Sequence, residues 1–215
     1  MTYVEIYTEV VNLRFSTQTV KLAQVKKWVN QAEIAVWDAA PWVFKRVAAA
    51  NLTIGAGNNK PTSPADFGKA RHLYDYLGAP LTYHEPDDFE DLFEADLING
   101  VTGEPSDYTV INRQIHLAPI PQTGRTYKLS YRRRYAHLNG ALATVAGVMG
   151  TDTDQPIWDS EFHYILVPWA MILGQKLEGD PTAEDLRNQR DEMLAAMKED
   201  LVGGVEGELV QWGGP

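Results

Sequence analysis

The chain has 215 residues, 44% hydrophobic and 22% charged, enough for one domain, or a domain with an insertion, around a core of its own. Nineteen Lys and Arg stand against 29 Asp and Glu, a formal charge of −10 that argues against phosphate-driven nucleic-acid binding and favours solubility before assembly. The absence of cysteine excludes disulfides, thiolate metal sites and a cysteine nucleophile, and no stretch nears the roughly 20 apolar residues of a membrane span. Met1-Thr2-Tyr3-Val4-Glu5 has no basic run leading into an apolar one, so no signal peptide is read and synthesis in the cytoplasm is expected.

From Tyr3 to Leu13, the apolar positions Val4, Ile6, Tyr7, Val10 and Val11 predict a short amphipathic helix. Ser16-Thr17-Gln18-Thr19 offers capping chemistry for a longer one. There Val25, Trp28, Val29, Ala32, Ala35, Val36 and Ala39 recur at three and four, and Pro41 ends the run. Val43–Val47 and Asn51–Ile54 then read as extended, with Gly55–Asn59 as a turn. Ala70–Leu77 has strand composition, and Gly78-Ala79-Pro80 turns the chain into Leu81–His84. Asp87–Asp96 predicts a short acidic helix with Phe89, Leu92 and Phe93 on one side. Strands follow at Tyr108–Ile111, Ile115–Leu117 and Thr126–Tyr135, the last with Tyr127, Leu129 and Tyr131 on one face and Lys128, Ser130, Arg132 and Arg134 on the other.

Ala136–Gln155, rich in Gly, Ala and Thr, reads as a long loop. Helical spacing returns after Pro156 with Phe162, Ile165, Leu166, Trp169, Ile172, Leu173 and Leu177. Gly179-Asp180-Pro181 leads to a last helix, capped by Thr182 and carrying Leu186, Met193, Leu194, Met197 and Leu201 inward. The expected fold class is therefore α+β, mainly a helical bundle built from the two ends of the chain, with a small antiparallel β region inserted and a flexible C-terminal arm. The expected boundaries are 1–42 for the N-terminal helices, 43–136 for the insertion, 137–201 for the loop and C-terminal helices, and 202–215 for the arm.

Catalytic, cofactor and metal signatures are not read. Gly55–Thr62 lacks the glycine before lysine that a phosphate loop needs, and Pro61 cannot donate an amide. The acids between Asp87 and Asp96 lack the ligand order of a calcium loop; they read as a solvated face or as a surface that repels DNA. His72, His84, His116, His137 and His163 show no paired-ligand spacing. Arg132-Arg133-Arg134 is the sharpest basic run, a strand end with salt bridges or a contact for DNA phosphate or an acidic neighbour. Leu209-Val210-Gln211-Trp212 near the glycine-rich end would suit docking into a partner's groove or edge.

An ordered set of short motifs resembles the head-to-tail connector, or adaptor, proteins of tailed bacteriophages. Its members are Val25–Ala32, Ala40-Pro41-Trp42, Ser63-Pro64-Ala65-Asp66-Phe67, Gly78-Ala79-Pro80-Leu81, Gly103-Glu104-Pro105-Ser106-Asp107-Tyr108, Ile115–Pro121 with Tyr127–Tyr131, and Gln155–Asp159. The set spans Tyr3 to Leu201. It departs from the pattern in the length of Ala136–Gln155 and in Trp158, where proline is commoner. The resemblance implies a structural virion protein of the neck, not an enzyme. It implies a homo-oligomeric ring, usually dodecameric, seated on the portal protein and meeting a stopper or tail-tube protein below. Double-stranded DNA would pass through without sequence recognition. In that reading Leu209, Val210, Gln211 and Trp212 meet the portal. The alternatives are another neck or tail-completion protein and, further off, a small hydrolase.

Overall fold

The structure, a computed structural model, describes residues 1–14, 22–175 and 183–202. Helices α1 (Tyr3–Arg14) and α2 (Leu22–Asp38) lead through a 3₁₀ turn (Val43–Lys45) to β1 (Arg46–Ile54) and β2 (Phe67–Tyr74). Next come β3 (Thr82–Tyr83), α3 (Pro86–Ile98), β4 (Thr102–Gly103), β5 (Asp107–Ile111), β6 (Gln114–Ala118), β7 (Ile120–Pro121) and β8 (Arg125–Arg133). Then β9 (Ala136–Leu138), β10 (Thr144–Ala146) and β11 (Gln155–Pro156) precede a 3₁₀ helix (Ser160–Ile165), α4 (Leu166–Gln175) and α5 (Ala183–Val202). The chain divides into two compact units, one from 1–44 with the residues after 134, the other Lys45–Arg134.

In the first unit, α1 buries Tyr3, Ile6, Tyr7 and Val10, and α2 buries Val25, Trp28, Val29, Ala32 and Val36, the stripes that helical spacing dictates. Trp42, fully buried, folds back so that its indole N–H donates to the Val36 carbonyl at 2.7 Å. That carbonyl, at the end of the helix, also accepts from the Ala39 amide at 3.2 Å. α4 buries Leu166, Val167, Ala170, Met171 and Ile172, and α5 contributes Met197. Met149 and Trp158, outside any helix, complete this core.

The expectation of a mainly helical bundle is overturned. Among the described residues strand makes up 28% against 42% helix, with five α-helices and several separate sheets. Part of the correction lies in 136–155, expected to be a loop. It forms most of a three-stranded antiparallel sheet ordered β10-β9-β11. This segment holds the start of α1: the Tyr3 amide donates to the Asp154 carbonyl at 2.6 Å and the Val4 amide to that of Asp152 at 3.2 Å. Strands of two or three residues carry no alternation long enough to show in a sequence.

The second unit holds two three-stranded sheets, β1-β8-β2 and β3-β5-β6, around a shared core. Leu52, Ile54, Leu73, Tyr127, Leu129 and Tyr131 enter it from the first sheet, and Tyr108, Ile115 and Leu117 from the second. The Leu81 amide joins the sheets by donating to the Leu73 carbonyl at 2.8 Å. β5 and β6 form a hairpin whose two loop residues, Asn112 and Arg113, both have positive φ, the geometry that matches strand twist. The region is not wholly antiparallel: β3 runs parallel to β5, and β4 to β7.

Candidate interaction surface

The arginine triplet ends β8, and its three members do different things. Arg133 turns inward, its Nε 2.9 Å from Oδ2 of the buried Asp66. Asp66 also accepts from the Tyr131 hydroxyl at 2.7 Å; burial, then this bond, push that phenol well above its ordinary range. Arg134 is held by backbone, its amide donating to the Asp66 carbonyl at 2.9 Å and its Nε to that of Ala65 at 3.0 Å. Arg132 projects from the outer face of the sheet.

Register gives Arg132 two cationic neighbours. Arg46 of β1 lies opposite it on one side and Lys69 of β2 on the other. Residues directly opposite share a face and adjacent strands lie about 4.8 Å apart, so three exposed cations stand abreast. Lys128, four residues back along β8, is on the same face, its ammonium hydrogen-bonded to the Asn51 side-chain oxygen. None of the three strands contains an Asp or Glu. Among the described residues, Arg46, Lys69 and Arg132 have no carboxylate partner. Like charges directly opposite one another destabilise a sheet.

The compensating acids lie elsewhere in the same unit. Alternation along β5 turns Tyr108 into the core and Asp107 and Thr109 outward. On that outer side His84 Nε2 is 2.8 Å from Asp107 Oδ1, and its ring meets Phe93 of α3 edge-on at 5.7 Å. α3 therefore packs on the outside of the second sheet, anchored by buried Phe89, whose ring meets that of Phe93 at a tilt, 5.1 Å between centroids. Its solvent side presents Asp87, Asp88, Glu90, Asp91, Glu94 and Asp96, all exposed, with Leu92 and Ile98 exposed among them. Residues 45–134 hold eleven cations and eleven carboxylates, so the whole formal charge of −10 belongs to the rest of the chain. The β-rich unit is neutral but polarised, with cations outside one sheet, acids outside the other and the core between.

The remaining sequence candidates are placed as follows. In the 55–62 loop the Gly57 amide donates to the Pro121 carbonyl at 2.7 Å, that of Asn58 to the Gly55 carbonyl at 3.1 Å, and that of Lys60 to the Asn58 side-chain oxygen at 3.0 Å. These amides are spent within the protein. His137 and His163 are buried, the former 3.3 Å from Asp154 Oδ2 and the latter with Nε2–H donating to the Trp158 carbonyl at 2.8 Å. Burial, against its carbonyl bonds, holds the His163 imidazole below its ordinary pKa; for His116 burial and then Lys60 do the same. No group of three or more potential metal ligands occurs among the described residues, and no helix there is long and apolar enough to cross a membrane. Leu209, Val210, Gln211 and Trp212 lie outside the described residues.

Sequence reading missed the row itself. Arg46 and Lys69 are far from Arg132 in the chain, and only strand pairing brings them together. It also missed Glu33, buried on the apolar side of α2, whose carboxylate accepts from the Tyr135 hydroxyl. Burial drives the Glu33 carboxyl up to about 8. Its spacing, four after Val29 and three before Val36, was the available signal.

A family model described as SU10 adaptor protein matches residues 1–208. The chain belongs to that family. The adaptor is thus a structural protein of tailed bacteriophages, of the head-to-tail class, and one that interacts with other phage structural proteins. A search of curated proteins found no match.

Proposed function

We propose that the adaptor assembles into a ring, a dodecamer on the family resemblance, that sits on the portal at the capsid–tail junction. There it joins the capsid to a downstream neck or tail protein, stopper or tail tube, and lets the genome through. The observation that carries this reading is the family match over residues 1–208, nearly the whole chain. The role is structural and uses no cofactor. Identical subunits making one repeated heterologous contact form a ring when the rotation between neighbours closes. The large negative charge outside the β-rich unit supports passage of double-stranded DNA with little adhesion, since duplex DNA is itself densely negative.

Electron microscopy of isolated necks, with the adaptor tagged, tests the reading directly. The expected result is a ring of adaptor density between portal and tail; density elsewhere in the virion, or a lone monomer, would overturn it. The portal contact is assigned to Leu209, Val210, Gln211 and Trp212, where an aromatic anchor can dock. Removing residues 209–215 is expected to abolish capture by purified portal while leaving the adaptor's own assembly intact.

A further inference from the structure

The geometry points to a specific subunit contact: the cationic outer face of β1-β8-β2 in one copy receives the acidic outer side of α3 from a second copy. This deepens the ring reading above and rests on it. Three observations carry it. First, Arg46, Arg132 and Lys69 stand abreast, exposed and without carboxylate partners among the described residues. That arrangement works against the fold and calls for an anion laid across all three strands. Second, α3 is such an anion and is itself underused. It buries only Phe89 fully and exposes six carboxylates, with Leu92 60% and Ile98 76% exposed beside them. Those apolar groups suit a protein surface, where Ala48 and Ala49, exposed beside Arg46, can meet them.

Third, the two surfaces lie outside different sheets with the shared core between, and each has the charge the other lacks. Within a unit of no net charge, the satisfying partner for each surface is the other surface on a neighbouring copy. Such a contact is heterologous, with one patch meeting a different patch, and repetition gives a closed ring or an open filament. DNA is the competing polyanion for the sheet face. The match of a single helix to three strands, the apolar residues on that helix and the charge of −10 on the rest of the chain favour the protein partner.

The test is a charge swap in the full-length protein, read by sedimentation velocity. One variant carries R46E, K69E and R132E; the other carries D91K and E94K. Alone, each puts like charges at the contact and is expected to lose assembly, with association weakened roughly tenfold or more. Mixed together, or combined in one chain, they restore complementary charges at every contact and are expected to reassemble. A variant that misfolds could not be rescued, so rescue separates contact from folding. If the wild type assembles and the variants assemble equally well, the contact is wrong and the ring reading stands. If the wild type stays monomeric at high concentration, alone and with portal, both fall. If R46E/K69E/R132E assembles normally but no longer retards duplex DNA that the wild type retards, the face belongs to DNA and the proposal is overturned.

Discussion

In the β-rich unit eleven cations cancel eleven carboxylates, and apart from the buried Lys45 and the Asp66–Arg133 pair the charges that stand out are on the surface, sorted by sign. In the helical unit eight cations face 18 carboxylates, yet Glu33, His137, Asp154 and His163 are sealed inside. The first arrangement leaves charge available to another molecule. The second uses charge to hold its own chain together. Asp154 shows the second use. Burial alone would raise its carboxyl, but the Thr151 hydroxyl at 2.6 Å, the Thr151 and Gly150 amides at 2.8 and 2.7 Å, and His137 hold it below its ordinary value. The same loop caps α1. Substitutions in the helical unit should therefore act on stability, and substitutions on the β-rich surface should act on association.

The largest loss of stability is expected from Trp42→Ala. It empties a fully buried site, removes one of two donors to the Val36 carbonyl and takes away a stacked neighbour of Phe44, which should cost about 3–5 kcal/mol in urea unfolding. Asp66→Ala comes next, inside the β-rich unit. It strips a partner from Arg133 and from the Tyr131 hydroxyl, and a loss of about 2–3 kcal/mol is expected, moderated because Arg133 keeps some contact with water.

Glu33 tests the comparison by pH. Its folded carboxyl titrates at about 8 against an ordinary value of 4.5, so the folded state holds a proton that the unfolded state releases. This contribution is fully present below pH 4.5 and is lost as pH rises through about 8. Glu33→Gln keeps the shape without the titration. Its unfolding free energy should be flatter between those limits and exceed that of the wild type at pH 8 by roughly 1–3 kcal/mol. An unchanged slope would show that another group governs this range. Asp154 runs the other way: its lowered carboxyl gives stability that disappears as pH falls through its folded value.

The smallest effect on folding is expected from Arg132→Ala, within about 0.5 kcal/mol, because relief of its two cationic neighbours offsets the lost side-chain packing. A loss above about 1 kcal/mol would mean that the row holds the sheet together.

Much of this contrast was legible in the sequence where a single element carries the pattern. The spacing of Val25, Trp28, Val29, Ala32 and Val36 gave the buried side of α2, and the alternation of Tyr127, Leu129 and Tyr131 gave that of β8. What could not be read depends on pairing across distance. Arg46 and Lys69 come to Arg132 only through strand register, and bulges between Val47 and Ala50 and between Phe67 and Lys69 shift that register by amounts no local signal announces. The short strands of 136–156 gave no period to detect, so the helical share of the fold was overestimated.

The helical unit is made from both ends of the chain, and this has a consequence for synthesis. A ribosome delivers α1 and α2 first, and α4 begins only at Leu166, well over a hundred residues after α2 ends at Asp38. At 5–20 residues per second, that is a wait of roughly 6 to 25 seconds. During it Ile6, Val10, Val29 and Val36 lack the partners that later bury them, while Lys45–Arg134 is already complete and free to fold. The nascent adaptor thus carries a finished β-rich unit beside an uncovered apolar surface, and its yield in the infected cell depends on how well that surface is shielded until the last two helices emerge.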